Sequence, residues 1–334
     1  MFYAAIDIHK RVLQAAVLDP ASGEVTDARM PATREALGDW AIPLRGTVAA
    51  VAIEATSGWR WVWRELSRLG FEVQLAEPAQ TRALRGPKRK PKTDRLDARW
   101  LALLLAKQML PQSWIPPEDV QRLRDLTRLR QALRHDRTRW AQRLHAVLAH
   151  EGWPCARRQL LSPSGERWLA GLQLEPHLRS LVDAHLAMLD AIAQQMSEID
   201  RELRRLARDD QRLRALQTIY GVGPIVACYL LAEIGDARRF RRACQLVRVA
   251  GLDPVVRDSA ESKRRGKLSK QGSPQLRWAL VQAAHRRARC PDGPERQRYL
   301  TRSERLGSQR AALTTAHTIA KRAYQVLATL DQTA

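Results

Sequence analysis

The chain is 334 residues long, enough for two domains, and 57 Lys and Arg against 35 Asp and Glu give it a net charge of +22. That excess points to a polyanionic partner. The longest apolar stretch, from Ile225 to Ile234, is too short to span a bilayer. Cys155, Cys228, Cys244 and Cys290 are too scattered for a zinc ribbon or a disulfide framework, so a reducing cytosol is expected, with no signal peptide at the N-terminus.

Tyr3 to Asp19 reads as two strands joined by a turn around His9–Arg11, with a short third strand near Val25–Met30. A helix is expected over Arg34–Leu44. The run Thr47–Ala55 is almost wholly β-compatible, as in a central strand covered on both faces. Trp59–Leu69 reads as a helix stopped by Gly70, and FEVQLAEP as a further strand. Trp59, Trp61 and Trp63 in that helix suit core packing, with stacking on unpaired bases as the alternative.

After Pro78 the spacing predicts a basic loop carrying Lys88, Arg89, Lys90 and Lys92. Thr93 then caps a helix whose first turn holds Asp94 and Asp97, three apart and therefore on one face. Acidic residues suit a helix N-terminus on dipole grounds alone. Asp7 and Glu54 are less easily explained, since each ends an apolar run where an uncompensated charge is costly. Four carboxylates spread over about ninety residues cannot form a local metal loop. If the fold makes them converge, they are an oxygen-only site for Mg²⁺ or Mn²⁺ suited to phosphoryl transfer. An Asp on a first strand, a Glu on a later one and an Asp pair on a following helix match the ribonuclease-H-like (RuvC-like) α/β arrangement.

From Glu118 to His150 the pattern is a long basic amphipathic helix with Val120, Leu123, Leu126, Leu129 and Leu133 on one stripe. A loop is expected through GWPCARRQLLSPSGERW. Leu189, Ile192, Met196, Ile199, Leu203 and Leu206 then form a heptad seam, with Val182 and Leu213 in register. An antiparallel hairpin within the chain and an intermolecular coiled coil fit it equally. The Gly-x-Gly-Pro turn containing Gly221 and Gly223 lies between two apolar helices. It suits either a helix-hairpin-helix element that offers backbone amides to phosphate, or a plain tight turn. A helix ending at Gly251 follows, then a polar basic loop with Lys263, Arg264, Arg265, Lys267 and Lys270. Ser273 and Pro274 begin a helix containing Arg277, and one amphipathic helix is expected in the tail, to about Leu327. The basic clusters are candidate nucleic-acid contacts.

These motifs resemble the DEDD transposases of bacterial insertion sequences, the family that includes the Piv and MooV DNA invertases and the bridge-RNA-guided recombinases. AAIDIHK supplies Asp7, AIEATSGWRW supplies Glu54, KTDRLDARWLA supplies Asp94 and Asp97, and the stretch from LQTIYGVGPIVACYLLAEIGD to SPQLRWALVQAA looks like the family's C-terminal domain. The resemblance covers nearly the whole chain. It implies an RNase-H-like domain over 1–117, a helical coiled-coil region over 118–212, a mainly α C-terminal transposase domain over 213–300, and a terminal helix and tail over 301–334. It further implies a divalent metal on Asp7, Glu54, Asp94 and Asp97, and a nucleophilic serine after a GL-x-P turn that forms a covalent link to DNA. Ser259 matches that serine, although Ala260 stands where the family commonly has Gly. Ser269 is the next choice, with Ser262 and Ser273 close by. The implied partners are DNA, a structured guide RNA and further copies of the chain, as a dimer or tetramer. A metal-dependent nuclease without a covalent serine step, and a non-catalytic nucleic-acid-binding protein, are the rival functions.

Overall fold

A computed structural model describes residues 1–86, 93–153, 160–259, 262–289 and 293–333. The chain forms two compact units, Met1–Ile115 and Pro116–Ala334.

The first unit is built on a five-stranded mixed sheet. Its strands are β1 (Phe2–Ile8), β2 (Val12–Leu18), β3 (Val25–Pro31), β4 (Val48–Glu54) and β5 (Val73–Ala76), in the spatial order β3-β2-β1-β4-β5. The three N-terminal strands are an antiparallel meander, and β4 and β5 join it in parallel through helical crossovers. Alternation along β1 and β4 divides the unit into two half-cores. Ala4, Ile6, Val51 and Ile53 face α1 (Arg34–Ala41) and α2 (Trp59–Arg68), where Leu37, Ala41, Val62 and Leu66 are buried. Trp59, Trp61 and Trp63 pack at the margin of this half-core, as core packing requires. Ala5, Ala50 and Ala52 face the opposite side and meet Leu101, Ala102, Leu104 and Leu105 of α4 (Asp94–Ala106). Small residues on that sheet face let the helix approach closely.

One detail differs from the sequence expectation, and one falls outside what the structure describes. The segment after Pro78 begins as a short helix, α3 (Pro78–Ala83), which Glu77 caps by accepting a 2.6 Å hydrogen bond from the Gln80 amide. Lys88, Arg89, Lys90 and Lys92 lie outside the described residues.

The second unit is mostly helical. Its long helices are α5 (Glu118–His150) and α7 (Pro176–Asp209). Leu123 near the start of α5 clusters with Ile199, Leu203 and Ala207 at the end of α7. Leu144 and Leu148 near the end of α5 cluster with Leu178, Val182 and Leu189 at the start of α7. The helices therefore run antiparallel, and the seam is covered within one chain. The stripe on α5 is as the spacing predicts at Val120, Leu123, Leu126 and Leu133, and departs from it at one position. Leu129 is 51% exposed, while Thr127 is buried with its hydroxyl donated to the Leu123 carbonyl at 2.9 Å. The seam also breaks before Leu213, because Asp210 ends α7 and caps α8 (Gln211–Gln217). The stretch expected as a loop contains α6 (Pro163–Gly171), capped by Ser162 and buried through Leu169.

The remaining elements are α9 (Pro224–Ile234), α10 (Ala243–Val249), β6 (Pro254–Ser259), β7 (Ser262–Leu268), α11 (Pro274–Arg289), α12 (Pro294–Leu306) and α13 (Ser308–Thr333). The basic stretch expected as a loop is thus an antiparallel β6–β7 hairpin. Its two strands, PVVRDS and SKRRGKL, carry no apolar alternation, and each satisfies backbone groups on the other. The tail holds two helices rather than one, interrupted at Gly307, whose φ of 79° is left-handed. No helix among the described residues is long and apolar enough to cross a membrane.

Candidate active site

Asp7 is the penultimate residue of β1 and only 6% exposed. Parallel pairing places Ile6 beside Ile53, so Asp7 and Glu54 come one step later on neighbouring strands. Both continue the row of small residues that faces α4 rather than the row that faces α1 and α2. The first turn of α4 meets this end of the sheet. Thr93 caps that turn, its hydroxyl accepting from the Leu96 amide at 3.3 Å, so Asp94 and Asp97 are held at a helix N-terminus.

The four residues named by the sequence are therefore brought to one end of one sheet face. His9 connects two of them: its Nε2 lies 3.1 Å from Asp7 Oδ2 and 3.2 Å from Asp94 Oδ1. Asp97 accepts from the Arg85 guanidinium, which also donates to the Leu96 carbonyl at 3.2 Å. Arg95 and Arg99 both pair with Asp27 on β3, fastening α4 to the outer strand of the sheet.

Electrostatics set the character of the site. Burial pushes the Asp7 carboxyl above its usual range. His9 opposes that shift by charge and hydrogen bond, and the carboxylates of Asp97 and Asp94 add to it. Acidic groups so close together favour a cation among them, and Arg85 supplies one at Asp97. Asp7, His9 and Asp94 each offer a ligand atom within 4.8 Å of the other two. Oxygen-rich donors of this kind fit a hard divalent cation. His9 and Arg85 are the residues that the sequence alone did not single out. For His9 a signal was present: it follows Asp7 by two, the period that keeps side chains on one side of a strand.

In the second unit, Ser259 ends β6 opposite Ser262, the last rung of the hairpin ladder. Lys263, Arg264, Arg265 and Lys267 occupy β7, where only the backbone is described, and Ala260 lies outside the described residues. The hairpin base is closely tied. Ser269 donates from its amide to the Asp253 carbonyl at 2.8 Å and from its hydroxyl to Asp253 Oδ1 at 2.5 Å. Arg277 donates to the Ala250 carbonyl at 3.0 Å, so this candidate phosphate contact also holds the loop. Lys270 stands exposed with a left-handed φ of 51°. Gly272 has φ 126°, and a Cβ there would meet the Val249 carbonyl oxygen at 2.2 Å.

Gly221 and Gly223 form the turn between α8 and α9. A Cβ at Gly221 would lie 2.6 Å from the Ala283 carbonyl oxygen, so the turn packs directly on α11. The buried Arg287 donates to the Tyr220 carbonyl at 2.8 Å and reinforces the contact. Gly223 caps α9 with a backbone that makes no side-chain cap bond. Close packing accounts for Gly221 without invoking a ligand.

Residues 4–151 match a family model described as Transposase, of the DEDD type in IS110 elements, and residues 213–301 match one described as Transposase IS116/IS110/IS902 family. The first span contains all four carboxylates and the second contains Ser259. The transposase for insertion sequence element IS1328 of Yersinia enterocolitica is 29% identical over 241 residues, which cover 70% of this chain and 69% of that protein. A probable family 20 transposase of Pseudomonas aeruginosa is 26% identical over 259 residues, 72% and 71% of the two chains. The transposase for element IS1111A of Coxiella burnetii is 24% identical over 249 residues, 71% and 65%.

Proposed function

Since the chain belongs to the IS110-type DEDD transposases, enzymes that cut and rejoin DNA, we propose that it mobilises an insertion sequence by joining a RuvC-like metal site to a serine nucleophile. The observation that carries this reading is the convergence of Asp7 and Asp94 on His9, on the sheet face that Glu54 shares. The strand order, a meander extended by two parallel strands, supports an RNase-H-like fold for the first unit.

Asp7, Glu54, Asp94 and Asp97 hold Mg²⁺ or Mn²⁺ in this reading. The ion would supply Lewis-acid polarisation of a phosphoryl oxygen and would stabilise the departing oxygen. The protein's own residues supply the rest. β1 and β4 fix Asp7 and Glu54 through their ladder, and the capped first turn of α4 fixes the other two, so little reorganisation precedes reaction. Ser259 Oγ attacks the phosphorus, its proton leaving to a base, and forms a phosphoserine ester as a deoxyribose oxygen departs. A hydroxyl of the new partner strand then attacks the ester and releases the serine. A neutral serine is a weak nucleophile and requires such assistance. Ser259 is preferred over Ser269 because the Ser269 hydroxyl is committed to Asp253 at the hairpin base.

Lys88, Arg89, Lys90, Lys92, Lys263, Arg264, Arg265, Lys267, Lys270 and Arg277 are assigned to nucleic-acid phosphates. A structured guide RNA, and a dimer or tetramer that brings several active sites to the strands exchanged, complete the proposal.

The test is denaturing-gel analysis of labelled element-end DNA incubated with protein, flanking RNA and Mg²⁺. A protein–DNA adduct that disappears in Ser259→Ala supports the serine mechanism. Free cleaved ends without adduct in either protein would replace it with a metal-only nuclease.

A further inference from the structure

We infer that His9 is itself a ligand of the metal ion held by this site, giving a mixed oxygen and nitrogen donor set that favours Mn²⁺ over Mg²⁺. The inference rests on the metal-site reading above and adds a residue to it. His9 Nε2 is 3.1 Å from Asp7 Oδ2 and 3.2 Å from Asp94 Oδ1. Neighbouring ligand atoms around an octahedral ion with bonds of about 2.1 Å are roughly 3.0 Å apart, so the nitrogen already stands at that spacing from each carboxylate oxygen, and all three atoms lie within 4.8 Å of one another.

A single nitrogen faces both carboxylates, and its one proton can be donated to only one of them at a time. A cation in that position would interact with both carboxylates and with the ring. The replacement needs no change of rotamer, because the nitrogen that faces the carboxylates is the one that would bind. The backbone favours the same outcome: His9 is the first residue past β1, and its amide donates to the Val12 carbonyl at 3.0 Å, which holds the start of the turn in place. Half exposure of His9 leaves a route for ion and water from solvent. Imidazole nitrogen is a better donor to Mn²⁺ than to Mg²⁺, which prefers oxygen and water.

The decisive experiment uses the full-length chain with ¹⁵N-labelled histidine, loaded with one equivalent of Mn²⁺, and read by pulsed electron paramagnetic resonance. Unlabelled protein should show ¹⁴N modulation that converts to a ¹⁵N pattern on labelling and is lost in His9→Gln, which keeps a hydrogen-bond donor without an imidazole. Mn²⁺ affinity should fall about tenfold in His9→Ala, and Mg²⁺ affinity by less. Mn²⁺ bound in wild type, lost in Asp7→Asn, but without nitrogen modulation would overturn the role of His9 and leave the carboxylate site standing. Binding unaffected by Asp7→Asn, or no binding at all, would overturn both.

Discussion

The carboxylate end of the sheet and the serine hairpin are held in opposite ways. Asp7 and Glu54 sit on strands with neighbours on both sides, and the helix bearing Asp94 and Asp97 is buried on one face from Ala98 onward and fastened to Asp27. Ser259 sits on a two-stranded sheet, laddered among the described residues to β7 alone and anchored at its base by Asp253, Ser269 and Arg277 and by the close packing of Gly251 and Gly272. A metal seat gains from rigidity, because cation affinity depends on ligand spacing. In the proposed mechanism Ser259 holds one strand and then delivers it to another, a task that a mounting anchored at its base would suit. The difference lies in the mounting: the carboxylates are carried by a sheet and a packed helix, the serine by a hairpin tied down at its base.

The sharpest way to break the comparison is to disable each half separately. Asp7→Asn should lower strand cleavage by about 10³-fold or more, roughly 4 kcal/mol of barrier, and abolish metal binding measured by calorimetry. Ser259→Ala should remove the covalent adduct just as completely while binding metal like wild type. Equal loss of metal in both variants would merge the two regions into one.

Next in size is the mounting of the hairpin. Gly272→Ala places a methyl on the Val249 carbonyl at a left-handed φ, and should destabilise the second unit by about 3 kcal/mol or more. Calorimetry should show its transition lowered while metal binding to the first unit persists. Ser269→Ala removes one charge-assisted hydrogen bond and should cost about 1–2 kcal/mol. Adduct should still form, more slowly; its complete absence in a folded Ser269→Ala protein would transfer the nucleophile to that residue.

The smallest effect concerns the fastening of α4. Arg99 and Arg95 hold the Asp27 carboxyl below its ordinary value of 3.8, the Arg99 hydrogen bond contributing most. The stability this provides is present above that ordinary value and fades as pH falls through the lowered one. Asp27→Asn should therefore cost about 1 kcal/mol near neutrality, and thermal melts of the two proteins should converge on acidification below pH 4.

Legibility differed between the regions for physical reasons. The strands of the first unit could be read because buried strands leave near-continuous apolar runs, and the carboxylates stood out against them. The hairpin could not, since PVVRDS and SKRRGKL carry no apolar alternation to mark them as strands. The same Ser-Pro signature begins α6 at Ser162 and α11 at Ser273, yet only the second was recognised, because an apolar helix follows it while α6 is nine residues long. Leu129 and Thr127 show the limit of counting leucines: the buried position on α5 is set by the partner helix, and a threonine that satisfies its own hydroxyl can fill it.

By itself the sequence determined the alternation of strands and helices in the first unit, the four acidic residues, the basic surface charge and the family, since each is written in local spacing or residue identity. Only the tertiary structure decided that the heptad seam closes within the chain, that Ser269 is tied to Asp253, and that His9 stands between Asp7 and Asp94. Those outcomes depend on which element lies against which, and contacts between residues far apart in the chain leave no period in the sequence to reveal them.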